Sequence, residues 1–170
     1  PKINDKIKFK NQKIKILYKN KNLSFSGSGK FKIDQNFEEI RYAFDEKENF
    51  INFHTEFKLK NTDFKIDNLN YKKKAENGIR LKLEGVLNKK NEIKIKNLNI
   101  DEGNNKISIS NLILNDIYQI LRIDEAKFNY LDKYNFENNF VIKKVNNQYY
   151  KITGTSFNAN SLISNLLENK

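Results

Sequence analysis

The sequence contains no cysteine, methionine or tryptophan, one proline, one histidine and six glycines in 170 residues. Without cysteine there are no disulfides and no thiolate metal sites, and the redox compartment stays open. His54, between Phe53 and Thr55 on the polar phase of its segment, cannot build a His-rich metal centre alone and reads as a surface histidine. Nucleophilic chemistry is left to Ser, Thr or Lys with an organised base, and no G-x-S-x-G elbow is present. No stretch approaches the roughly 20 apolar residues of a membrane-crossing helix. No signal peptide is legible. Alternation begins directly after Pro1, at Ile3 and Ile7, which reads as a segment of a longer protein with any export signal or anchor upstream.

Arginine is also scarce. Lys+Arg is 32 against 21 Asp+Glu, a net charge of +11, but the arginines are only Arg41, Arg80 and Arg122. Heavy Lys, Asn and Ile usage is what an A/T-rich coding sequence produces, so part of the charge is compositional. Arginine suits bidentate recognition of phosphate and base edges, and lysine is not its equivalent. The balance therefore fits an anionic membrane surface better than sequence-specific nucleic acid. Lysines do interleave with aromatics, as in Phe9-Lys10 and Phe57-Lys58. Alternation sends the two to opposite faces, whereas a base-stacking platform needs both on one face. No nucleic-acid partner is expected.

What the chain has in quantity is alternation. Ile14, Ile16 and Tyr18 alternate with polar residues, as do Leu23, Phe25, Gly27, Gly29, Phe31 and Ile33. The pattern continues through Ile40, Tyr42 and Phe44, then Ile51, Phe53, Phe57 and Leu59, then Ile79, Leu81, Leu83 and Leu87. Successive side chains of a strand point to opposite faces, so each segment has one apolar and one polar face. This predicts an all-β protein built on a large, mostly antiparallel sheet that is apolar on one side. Mean hydropathy is −0.79, yet 13 Phe and 8 Tyr in a regular pattern argue against disorder.

Strands are expected at 6–10, 13–19, 22–34, 38–45, 49–60, 63–72, 78–88, 91–101, 106–115, 117–131, 135–145 and 148–155. They are broken by polar turns in which Asn, Asp and Lys do the work that Gly and Pro usually do. No linker divides residues 1–170, which read as a single domain. A faint repeat links Phe64–Tyr71, Ile93–Ile100 and Ile107–Leu114 through the pattern apolar-x-apolar-x-Asn-Leu-x-apolar. The apolar phase slips by one at Asn-Leu, the signature of a bulge or bend. Such repetition suggests an elongated architecture. Only the C-terminus reads as helical. Asn158 or Asn160 can cap an amphipathic helix over 158–168, with Leu162, Ile163, Leu166 and Leu167 on one stripe.

Chemical motifs are few. Ser26-Gly27-Ser28-Gly29-Lys30 lacks the earlier glycine of a phosphate loop, and Phe31 stands where Ser or Thr would bind magnesium. It reads as strand, bent or closely approached at its glycines. The carboxylate pairs Asp45-Glu46 and Asp101-Glu102 fall in expected turns, where solvation keeps them ordinary. Asp124-Glu125 is a third pair. The cluster at 101–105 lacks EF-hand spacing and reads as a hairpin turn. No catalytic constellation, metal site or cofactor is read.

A long one-sided sheet cannot leave its apolar side wet, since exposure costs about 25 cal/mol per Å². It closes into a barrel, packs on a second sheet, or curls into a trough filled by an apolar ligand. The apolar phase is mostly Ile, Leu and Phe, which suit acyl chains as well as one another. The expected lipid-facing residues are Phe25, Phe31, Tyr42, Phe44, Phe53, Phe57, Leu81, Leu83, Ile93, Ile95, Ile107 and Ile109.

The last third sharpens this. It contains Asn139-Phe140-Val141-Ile142-Lys143-Lys144, the turn Val145-Asn146-Asn147, then Tyr149-Tyr150-Lys151-Ile152-Thr153-Gly154. Ser156-Phe157-Asn158-Ala159 follows, leading into Leu162-Ile163 and Leu166-Leu167. A strand, a Gly, a capping residue and a Leu-rich helix in this order resemble the C-terminal part of the AsmA-like (TamB–YhdP) family of Gram-negative envelope proteins. Asn158 stands where that family more often has Asp. The Asn97-Leu98 and Asn111-Leu112 repeats are similar to the family's repeated strands. The resemblance implies a β-taco, a curled repeating groove with an apolar lumen, continued by neighbouring groove segments of the same protein. It implies an inner-membrane anchor upstream, a periplasmic body, phospholipid acyl chains as cargo moving between inner and outer membranes, and no enzymatic activity. The alternatives are a non-catalytic structural β-sandwich of the envelope and a lipopolysaccharide-transport type of β-jellyroll.

Overall fold

A computed structural model describes residues 8–74, 77–88, 92–147, 149–160 and 163–164. The alternating segments become strands of one large antiparallel sheet. In chain order they are β1 (Phe9–Lys19), β2 (Asn22–Ile33), β3 (Asn36–Lys47), β4 (Phe50–Leu59), β7 (Ile79–Asn88), β8 (Ile93–Glu102), β9 (Asn105–Leu114), β11 (Glu125–Leu131), β12 (Glu137–Lys144) and β13 (Tyr150–Ser156). Each pairs with the next in that order, and a short β10 (Ile120–Arg122) adds to β9. The sheet does not close, and β1 and β13 are its edges. A second sheet comprises only β5 (Lys65–Ile66) and β6 (Tyr71–Lys72), so no opposing sheet makes a sandwich among the described residues.

Hairpin geometry follows from turn chemistry. Strands β1 and β2 are joined by Asn20-Lys21, both left-handed at φ 53° and 61°, as a type I′ turn requires. The other two-residue turns begin with a left-handed Asp34, Glu48 or Gly103. Among described non-glycine residues with left-handed φ, Asn and Asp predominate: Asn11, Asn20, Asp34, Asn70, Asn111 and Asn135, beside Lys21, Glu48 and Tyr118. Asn and Asp tolerate this region best. A meander built this way has two ends. The 33–36, 102–105 and 131–137 turns lie at one end, with the β4–β7 connection. The 19–22, 47–50 and 144–150 turns lie at the other.

The expected phase slip is present. In β8 the register against β7 jumps at Glu84/Gly85, opposite Asn97 and Ile95, leaving Lys96 as the extra residue. In β9 the same slip falls at Asn111, left-handed at φ 51°. The two irregularities lie side by side, Ile95 pairing Leu112 and Asn97 pairing Ser110. Strands on both sides of the slip therefore keep their apolar residues on one face.

Four expectations are met differently. The strand at 63–72 is instead a compact unit: β5, a 3-10 turn (Asp67–Leu69) closed by left-handed Asn70, and β6. Because β4 pairs directly with β7, this third copy of the repeat has no neighbouring strand and doubles back on itself. The strand at 117–131 is two pieces, β10 and β11, and among the described residues 9–10 and 13–19 belong to one strand, β1, with a bulge at left-handed Asn11. No C-terminal helix is among the described elements. Most of 158–168 lies outside the described residues, and within them the Ile163 N–H donates to the Ala159 carbonyl at 2.9 Å.

Candidate functional site

The register decides which side chains share a face. Phe25 lies opposite Phe44, and Phe44 opposite Phe53. Ile40 pairs with Phe57, Phe57 with Leu81, and Leu81 with Ile100. Ile100 pairs with Ile107, Ile107 with Phe128, and Phe128 with Phe140. Directly paired residues point the same way, so one apolar face runs from β1 to β13. All twelve expected residues stand on it: Tyr42 lies between Gly27 and Thr55, Phe31 opposite Phe9 and Glu38, Leu83 between Thr55 and Leu98, Ile93 between Leu87 and Leu114, Ile95 between Gly85 and Leu112, and Ile109 between Leu98 and Ala126. Phe31, Ile95 and Ile107 are buried, Phe25 is exposed, and the other eight are half-buried. The opposite face carries Lys, Ser, Asn and scattered ion pairs such as Arg80 to Glu56 at 3.4 Å. His54 lies there, cross-strand from Ala43 and Glu84, and is exposed.

Gly27 and Gly29, expected to be bent or closely approached, are closely approached, and so are Gly85 and Gly154. Gly27, Gly85 and Gly154 lie directly opposite Tyr42, Phe53 and Phe140. At the first two the aromatic ring folds onto the bare backbone: a β-carbon at Gly27 would meet the Tyr42 ring at 2.6 Å, and one at Gly85 the Phe53 ring at 2.8 Å, whereas one at Gly154 would meet the Asn139 carbonyl and the Phe140 β-carbon. Gly29 is covered by Gln12, whose amide nitrogen donates to the Lys30 carbonyl and whose oxygen accepts from Tyr42 Oη at 3.1 Å. These pairs fill holes a glycine leaves in a sheet and lay the aromatics flat along the face.

One end of the face is roofed. The β4–β7 connection crosses it, placing Tyr71 in the core, 2% exposed, with Phe64, Ile66 and Leu69 packed against the same cluster. The Tyr71 ring meets Tyr130 edge-on at 5.7 Å. After β13, Phe157 packs on Phe140 at 4.3 Å and Asn158 is tied to Asn138 and Asp132. Toward the other end the face is open among the described residues: Ile14, Ile16 and Tyr18 of β1 and Tyr150 and Ile152 of β13 are exposed.

Polar joints hold this cover, and they are what sequence reasoning missed. Glu102, expected to be a solvated turn carboxylate, is 1% exposed. Its oxygens accept from Tyr71 Oη (2.7 Å), the Lys74 N–H (2.7 Å), Asn105 Nδ2 (3.0 Å) and Asn77 Nδ2 (3.2 Å). Burial pushes its pKa up, but these donors outweigh burial and hold it below the ordinary carboxylate value. Burial and the Glu102 carboxylate together push the Tyr71 phenol well above its ordinary range. At the other side of the connection Glu38, 2% exposed, accepts the N–H groups of Lys60, Asn61 and Thr62 at 2.6–2.9 Å. Burial again opposes ionisation, and these donors again win, lowering its pKa. Tyr130 Oη donates to the Leu69 carbonyl at 2.9 Å, and the Lys133 N–H to the Asn70 carbonyl. Buried Lys73 reaches the carbonyls of Lys60 and Asn77 through Nζ. The only sequence signal was a pair of carboxylates flanked by donors in segments expected to be turn or strand.

Ser26–Lys30 runs as strand within β2, and Asp45-Glu46 lies in β3, not in a turn. Asp124 is bound by Arg122 Nε at 2.6 Å on the surface. No group of three or more His, Asp or Glu among the described residues is placed to hold a metal ion. Comparison of the chain with protein families, with curated proteins and with solved structures finds no match.

Proposed function

We propose that this chain is an acyl-chain-binding segment of a cell-envelope protein. In this reading the sheet curls into a trough whose apolar face replaces the bilayer for phospholipid tails, while head groups stay in water at its open side. The carrying observation is the single continuous apolar face, on which all twelve alternation-derived residues stand and of which only one end is roofed among the described residues. Open apolar surface of this kind marks a binding site. Curling is supported by the β4–β7 connection, which bonds to β3 through Glu38 and to β11 through Tyr130, drawing strands from both halves of the sheet toward one cover. The connection then serves as an end stop for the trough. The mechanism is solvation, with no catalytic residue. The unpaired edges of β1 and β13 fit continuation by neighbouring groove segments. A periplasmic body, an upstream inner-membrane anchor and phospholipid movement between the two membranes accompany the AsmA-like resemblance.

The test is mass spectrometry of lipid extracted from protein purified without detergent, beside Leu83→Glu and Phe25→Glu. Leu83 is half-buried at mid-face and Phe25, 37% exposed, lies toward the open end, so Phe25→Glu is expected to fold, as a circular-dichroism melt verifies. Ile95, 5% exposed against Gly85 and Leu112, is a core position and no clean probe. Phospholipid that accompanies the wild type and is lost from a folded variant is the expected result. Folded variants that keep the wild-type lipid, or a wild type without lipid, overturn the reading.

A further inference from the structure

The β1–β2 hairpin differs from the rest of the sheet in charge. Residues 8–33 contain eight lysines and no Asp or Glu, whereas β3, β4, β7, β8, β11 and β12 each carry an acid. On the polar face Lys13, Lys15 and Lys19 stand opposite Ser28, Ser26 and Asn22, and Lys10 stands opposite Lys30. Like charges directly cross-strand repel. Two acids of β3 stand in register on this face: Glu39, opposite Lys30 and bridged to Lys58 at 3.5 Å, and exposed Asp45, opposite Ser24 and so in line with Leu17. Against eight lysines these two acids leave the ribbon a net positive field, which suits an anionic partner.

Its tip breaks the alternation. Leu17 stands on the lysine face and is 53% exposed, while Ile16 and Tyr18, on the other face, are 69% and 70% exposed. The type I′ turn beyond them is conformationally tight. The ribbon therefore ends in a wedge that is apolar on both sides and collared by Lys15, Lys19 and Lys21. Lysines on an edge strand guard against aggregation, which accounts for the charge but not for a wet Leu beside a wet Ile and Tyr. A protein groove would receive one apolar face. A wedge greasy on both sides fits a medium that surrounds it, with Tyr at the interface and lysine stems reaching back to phosphates. Nucleic acid fits poorly, since the aromatics and lysines of the ribbon lie on opposite faces.

We propose that the β1–β2 ribbon docks on an anionic bilayer surface, Ile16-Leu17-Tyr18 entering the interface and the lysines holding lipid phosphates. This does not rest on acyl-chain binding by the sheet. Where both hold, the ribbon sets the open end of the trough against a membrane, since its tip lies at that end.

Vesicle sedimentation tests it, using phosphatidylcholine alone and phosphatidylcholine with phosphatidylglycerol. The wild type is expected to bind the anionic vesicles, far more weakly the neutral ones, and to weaken as salt rises. Each lysine near such a surface is worth roughly fivefold in affinity, so Lys15→Glu/Lys19→Glu costs roughly several hundred-fold. Leu17→Ser/Tyr18→Ser is expected to lower affinity about tenfold or more at unchanged charge. All four positions are exposed, and a circular-dichroism melt verifies the fold; Lys15→Gln/Lys19→Gln is the milder variant should the reversal melt early. No binding by the wild type, equal binding to both vesicle types, or unchanged affinity in either folded double variant overturns the proposal. Lipid co-purifying with these ribbon variants reports separately on the sheet, so the two readings fail independently.

Discussion

Replacing Tyr71 with Phe removes one oxygen from the joint that fixes the cover to the sheet. The lost bond is Tyr71 Oη to Glu102 Oε2 at 2.7 Å, between side chains 2% and 1% exposed. A hydrogen bond to a charged acceptor contributes about 1.5–3 kcal/mol. Glu102 keeps three donors, from Lys74, Asn77 and Asn105, so its charge is not orphaned and the loss falls near the lower end, about 1.5 kcal/mol. For a chain of this size that lowers Tm by about 3–6 °C. Glu102→Gln is expected to cost more, about 2–4 kcal/mol, because its amide nitrogen is turned against groups that themselves donate. The pH dependence separates the partners. The folded Glu102 pKa is lowered, so its stabilisation is complete above the unfolded carboxylate value near about 4.3 and is lost as pH falls through the folded value. The folded Tyr71 pKa is raised, so its share is complete below about pH 10 and is lost at higher pH. Urea melts across pH should show a weaker acid loss in Glu102→Gln, with Glu38 keeping its own share, and a weaker alkaline loss in Tyr71→Phe. A Tyr71→Phe protein as stable as wild type at neutral pH, with the alkaline loss unchanged, refutes the joint.

The glycines give a graded series measurable by thermal melts. Gly85→Ala sets a methyl against the Lys94 carbonyl and the Phe53 ring and is expected to cost about 1–3 kcal/mol. Gly78→Ala meets open space and is expected to gain about 0.4–1 kcal/mol by stiffening the unfolded chain; equal effects at the two sites would dismiss the ring-on-glycine account. Glu48, left-handed at φ 46° in the β3–β4 turn, is expected to stabilise the hairpin by roughly 0.5–1 kcal/mol when changed to Gly, read as a raised urea midpoint.

Much of the sheet was legible because period-two patterning is a local property. The strands, their polar turns and the shared face of Phe25, Phe44, Phe53, Leu81 and Ile107 follow from alternation once neighbours pair in order. The bulges at Lys96 and Asn111, beside the Asn-Leu steps, were readable because a slip in the apolar phase must be absorbed by an extra residue. The same string at Phe64–Tyr71 misled, since a strand needs a partner and β4 had already paired with β7. There the slip at Asn68-Leu69 became a 3-10 turn ending at Asn70. Glu102 was misread for a related reason: a carboxylate in a hairpin turn is solvated unless a distant segment lies over it, and nothing local to 101–105 announces Tyr71 or Lys74.

Sequence alone determined the class of structure: a long antiparallel meander, greasy on one side and rich in lysine on the other, turning on Asn and Asp in place of Gly and Pro. These are consequences of side-chain alternation and of which residues tolerate left-handed backbone, and both act within a few positions along the chain. Tertiary structure decided which part of the greasy face is covered. That depended on where residues 60–74 fold back, and so on contacts such as Tyr71 to Glu102 and Tyr130 to Leu69, 31 and 61 positions apart. No local pattern encodes such a contact, because burial is a property of the neighbours a residue acquires and not of the residue.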